Sequence, residues 1–121
     1  MQSEFGDLLR ATRKRSGKSM RDLALHLGVS IVFISDVERG NRAPLKAERI
    51  MSATEFLGAD PEPFLLAAAK SKGSFELDAT RVSGKARQVG AALMRGWTDL
   101  GEGDLEKIAR IVRRRGGENE I

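Results

Sequence analysis

The chain has 121 residues but no cysteine and no tyrosine, one tryptophan, one histidine and three prolines. The missing thiols exclude disulfides, thiolate metal sites and a cysteine nucleophile, and they fit a reducing compartment such as the cytoplasm. With aromatic residues at 5%, any core has to be built from Leu, Ile, Val, Ala and Met. No apolar run approaches the ~18 residues a membrane span needs, and the opening Met1-Gln2-Ser3-Glu4-Phe5 has no signal-peptide pattern. Paired carboxylates, a glycine-rich phosphate loop and a Ser/His/Asp constellation are all missing. His26 lies among apolar residues with no second ligand type beside it. The acids and glycines of segment 96–103 lack the spacing of a calcium loop. Enzyme chemistry thus finds no support, and no cofactor or metal is expected.

What the chain has is placed positive charge. The net charge is +4, and six basic residues (Arg10, Arg13, Lys14, Arg15, Lys18, Arg21) fall between Leu8 and Arg21 with no acid among them. A second group comprises Arg39, Arg42, Lys46 and Arg49. Two positive patches flanking an apolar helix are what a phosphate-gripping surface requires, although each run taken alone also reads as a solvated helix face.

Apolar periodicity and capping residues predict a mostly helical chain. The first helix spans 3–15, with Phe5, Leu8, Leu9 and Thr12 on one face, Ser3 as its cap and Gly17 at its end. Ser19 caps a second helix over Met20–Leu27, with Asp22 placed for a capping box and Gly28 as the stop. Ser30 caps a third, Ile31–Arg39, closed by Gly40. A loop over 41–44 leads to a fourth helix from about Lys46 to Leu57, with Ile50, Met51, Ala53, Thr54 and Leu57 inward. Asp60-Pro61 starts a fifth, which runs to about Ser71.

The segment Ser19–Gly40 therefore reads helix, three-residue turn, helix. Ala24 allows close approach, and Val29, Ile34 and Val37 fill the space between the helices. That spacing leaves the N-terminal half of the second helix of the pair free to enter a major groove. The chain here resembles the Cro/repressor family, also called XRE-type regulators. The resemblance rests on Arg13-x-x-x-Gly17-x-Ser19, Leu23-Ala24, Leu27-Gly28-Val29-Ser30, Ile34-Ser35, Val37-Glu38-Arg39-Gly40 and Leu57-Gly58 with Asp60, and it covers roughly residues 4–70.

The resemblance implies a five-helix repressor-like DNA-binding domain that binds palindromic double-stranded operator DNA as a dimer. It puts Ile31, Val32 and Asp36 at base edges, bordered by Phe33, Ser35, Arg39 and Arg42. Ile31 and Val32 depart from the hydrogen-bonding residues common at these positions and suit thymine methyl groups. Backbone phosphates would fall to Lys18, Ser19, Met20, Arg21, Ser30, Asn41, Arg42 and Lys46. Met20 stands where relatives often carry Gln, so the grip there is expected to rest on backbone N–H groups and the Ser19 hydroxyl. Arg13 and Glu38 match a pair that forms an internal salt bridge in some relatives.

Residues 1–71 are read as the DNA-binding domain and 72–121 as a C-terminal module. Phe75-Glu76-Leu77-Asp78 alternates like a short strand. Two amphipathic helices follow, over 83–97 and from Asp104 to about Arg115, joined by a turn. Phe75, Leu77, Val89, Leu93, Trp97, Ile108 and Ile111 are the expected dimerisation residues. The strand would pair with its copy in a second subunit. The alternative is that these helices fold back and the first domain dimerises. A second functional class, a protein-interaction module on a repressor-like fold, is suggested by the apolar stripe Ile31-Val32-Phe33.

Overall fold

The structure, a computed structural model, describes residues 3–115. Its elements are α1 (Glu4–Arg15), α2 (Met20–Leu27), α3 (Ile31–Glu38), α4 (Ala47–Leu57), α5 (Glu62–Lys72), α6 (Gly84–Gly96), a 3₁₀ turn (Trp97–Asp99) and α7 (Glu102–Arg113). The chain divides into two compact units, one up to Glu76 and the other from Leu77.

Local chemistry sets the helix starts of the first unit. The Ser3 hydroxyl accepts from the Gly6 N–H at 2.8 Å, and the Ser30 hydroxyl accepts from the Phe33 N–H at 3.0 Å. At α2 the box is reciprocal: Ser19 Oγ accepts from the Asp22 N–H at 2.9 Å, and Asp22 Oδ2 accepts from the Ser19 N–H at 2.8 Å. Each such cap satisfies an otherwise orphaned donor and stabilises a helix by about 1 kcal/mol. Gly28 and Gly40 end α2 and the α3 turn at φ of 70° and 78°, a left-handed conformation that residues with a Cβ adopt only with strain.

The five helices close over one core formed by Phe5, Leu9, Leu23, Ala24, Ile34, Val37, Leu45, Ile50, Ala53, Leu57, Phe64 and Ala67. Phe5 and Phe64 meet edge to face, with ring centroids 6.0 Å apart. Gly6 brings α1 against the end of α3. A Cβ built there would come within 2.5 Å of the Glu38 carbonyl oxygen and 2.6 Å of that of Val37. This close approach locks α3 to the scaffold, and it went unread in the sequence. A glycine inside an amphipathic helix was the available signal.

In the second unit the Ser83 hydroxyl caps α6 by accepting from the Ala86 N–H at 3.1 Å. Arg87 Nη1 donates to the carbonyls of Ala79 and Val82 at 2.9 and 3.0 Å, fixing the segment that leads into the helix. Neither α6 nor α7 contains a buried residue, so their apolar faces stand open.

Several expectations need correction. Segment 75–78 is not a strand, and no strand occurs among the described residues. Phe75 instead lines a shallow groove with Leu45, Leu65 and Ala68. A four-residue strand without a partner has no ladder to stabilise it. Met51, expected inward, is 52% exposed, because Ile50, Ala53, Thr54 and Leu57 already fill the inner face of α4. Helix α5 begins at Glu62, whose N–H bonds Asp60 Oδ1 at 3.0 Å, so Pro61 sits at the cap and not inside the first turn. Helix α7 begins at Glu102, two residues before Asp104. Asp104 lies inside the first turn and accepts from the Gly101 N–H at 3.2 Å.

Candidate nucleic-acid interface

Helix α3 divides sharply between an anchored face and a free one. Ile34, Val37 and Glu38 are buried, while Ile31 and Val32 in its first turn are 40% and 66% exposed. Ser35 and Asp36 are half-buried, and Arg39 at the C-cap is exposed. Arg39 Nη2 lies 3.5 Å from Asp36 Oδ1. The carboxylate that would otherwise face a negative groove therefore already has a cation beside it.

The anchored face is held by Arg13. Its Nε donates to Glu38 Oε2 at 2.7 Å, its Nη2 to Glu38 Oε1 at 3.0 Å and its Nη1 to the Lys18 carbonyl at 3.0 Å. The two side chains are 7% and 2% exposed. The bidentate bonds that Arg13 donates to Glu38, opposed by burial, raise the guanidinium pKa above its ordinary value. Arg13 thus ties α1, the segment entering α2 and the end of α3 into one rigid block. Its guanidinium is committed inside the protein and is not offered to a ligand.

Arg42, Arg49 and Lys18 rest on aromatic rings. The Arg42 guanidinium carbon lies 4.5 Å from the centre of the Phe33 ring, and that of Arg49 lies 5.4 Å from it. Phe33 is half-buried and packs against the core. Lys18 Nζ lies 4.9 Å from the centre of Phe56. Phe56 is itself stacked on His26, centroids 4.4 Å apart, and His26 Nε2 shares a hydrogen bond with Ser52 Oγ at 3.1 Å. His26 is accordingly a packing residue between α2 and α4.

At the start of α2 the capping box engages both the Ser19 N–H and the Ser19 hydroxyl, leaving the N–H groups of Met20 and Arg21 at that helix end. The carboxyl of Asp22 is held below its ordinary pKa by the bond from the Ser19 backbone N–H, then by the Ser19 hydroxyl. The Met20 side chain packs against the core, which leaves its backbone N–H at the helix end. Arg21, Asn41, Arg42 and Lys46 are exposed. Arg49 belongs to the second basic group but has no individual contact implied by the resemblance, yet it shares the Phe33 ring with Arg42.

A family model described as "Helix-turn-helix domain" matches residues 4–66. The chain belongs to the helix-turn-helix family of transcriptional regulators. It is 27% identical over 122 residues to the uncharacterized HTH-type transcriptional regulator RghRB of Bacillus subtilis (strain 168), a match covering 89% of this chain and 88% of the relative. Among solved structures, it resembles the clp gene regulator ClgR from C. glutamicum at 34% identity and a TM-score of 0.46, covering 55% of this regulator and 86% of that chain. It also resembles the SinR protein/SinI protein complex at 18% identity and a TM-score of 0.48, covering 94% and 99%. The regulator is by family a DNA-binding protein and not an enzyme. Among its described residues, no helix is long and apolar enough to cross a membrane.

Proposed function

We propose that this regulator is a sequence-specific repressor that inserts the first turn of α3 into the major groove of a palindromic operator, acting as a homodimer in the cytoplasm. The observation that carries the reading is the split character of α3. Its inner face is fixed by Ile34, Val37 and the buried Arg13–Glu38 pair, while Ile31 and Val32 are exposed. A rigid helix with a free leading edge presents side chains to base edges at little ordering cost. Ile31 and Val32 favour thymine methyl groups, and Asp36, Ser35 and Arg39 border them. Lys18, Ser19, Arg21, Ser30, Asn41, Arg42 and Lys46, with the backbone of Met20, set the register on phosphates.

Dimerisation is assigned to the second unit. Val89, Trp97 and Ile111 are exposed, Ile108 borders exposure and Leu93 is half-buried, so none of them is buried. Phe75 and Leu77, both exposed, add apolar surface without a strand. Two such subunits would place half-sites about one helical turn apart.

The second reading, docking of α3 on an apolar protein partner, is favoured by the same exposed Ile31 and Val32 but not by the cations around them. Gel shift of the full chain on duplex selected from random DNA separates the two. With six to ten phosphates contacted, affinity should fall about 10³- to 10⁵-fold between 50 and 200 mM salt. A chain that selects no duplex supports the second reading.

A further inference from the structure

Arg42 and Arg49 come from different segments, the loop after α3 and the first turn of α4, yet both guanidinium groups lie over Phe33. Two like charges brought to one ring repel each other unless an anion sits near. Among the described residues neither guanidinium forms an ion pair with a carboxylate. Glu38 pairs with Arg13, Asp36 with Arg39, Glu4 with Lys70 and Glu76 with Lys72. Phe33 is packed against the core, so its ring is a fixed platform and not a mobile side chain. The negative face of that ring partly offsets the repulsion and holds both groups in place.

We propose that Phe33 is a positioning residue and Arg49 an unassigned DNA-contacting one: the ring gathers Arg42 and Arg49 into a two-cation site that grips the phosphodiester backbone of the duplex whose bases α3 faces. This rests on the reading of α3 as the groove-entering helix. The guanidinium fork matches phosphate oxygens, and both groups are gathered before DNA arrives, which reduces the side-chain ordering that binding would otherwise require. Phe33, which follows Ile31 and Val32 in sequence, is thereby moved from the base-reading set to a role exerted through the two arginines.

The test uses the full chain and a duplex that the wild type selects from random DNA, with affinity measured across a salt series. Arg49→Gln should weaken binding about tenfold on every sequence alike and flatten the salt slope by about one. Phe33→Leu should weaken binding similarly, and combining it with Arg49→Gln should cost less than the product of the two. Phe33→Tyr, which keeps the ring, should restore binding. Should Phe33→Leu melt early by circular dichroism, the exposed Arg49→Gln still decides. A wild type that binds while Arg49→Gln matches it in affinity and slope overturns the inference alone. A wild type that binds no duplex overturns the groove reading and this inference with it.

Discussion

Arg13 shows how one side chain secures a recognition surface it does not join. In sequence it belongs to a run of six basic residues and looks like its neighbours. In the fold it is turned inward, with three hydrogen bonds to Glu38 and Lys18. Replacing it with Ala leaves the Glu38 carboxylate buried and unpaired, which should cost about 3–5 kcal/mol of folding stability by denaturant titration. The double change Arg13→Met with Glu38→Leu should recover most of that loss, because it removes both charges from the interior. Asp36 and Arg39 contrast with this pair. Their partly exposed contact at 3.5 Å is worth under about 1 kcal/mol, so its role is to hold charge at the surface and not to stabilise the fold.

At the scale of elements, α3 is short and depends on its neighbours. Eight residues are too few for a helix to persist alone. It is held by the Ser30 cap, the Arg13–Glu38 pair and the seat that Gly6 makes for its last carbonyls. Gly6→Ala should therefore destabilise the protein, by about 1–3 kcal/mol for overpacking, despite the better helix propensity of Ala. Thermal melting checks the sign: a raised Tm would show that α1 and α3 can move apart freely. The helix-turn-helix and the spacing of the five helices could be read from Ser, Gly and apolar positions, because caps and periodicity act within a few residues. Three features could not. The pedestal under Arg42 and Arg49 joins Phe33 to residues nine and sixteen places away. The Gly6 contact depends on packing between helices. The outward turn of Met51 depends on which neighbours fill the core. The mistaken strand at 75–78 failed for the same reason, since alternation is local and a strand needs a distant partner.

At the scale of the whole molecule, the first unit buries a core while the second leaves two amphipathic helices bare. Exposed Val89, Met94, Trp97, Ile111 and Val112 are more apolar surface than a free appendage ordinarily shows. If a second copy covers them, Ile111→Glu in the full chain should convert a dimer to a monomer by light scattering and weaken operator binding, since one half-site is then held at a time. A dimer that survives this change and its counterpart Trp97→Glu would place the interface elsewhere.

The first turn of α3 is where reading of bases and mere attachment to DNA can be told apart. Val32 is 66% exposed and contributes nothing to the core, so Val32→Gln should leave stability unchanged. Gln pairs with adenine through two hydrogen bonds, whereas Val contacts a thymine methyl. Sequence selection from random duplex, run with the wild type and with Val32→Gln, should yield two motifs that differ at one position of each half-site, thymine giving way to adenine on the contacted strand. Identical motifs from the two proteins would contradict insertion of α3 into the groove.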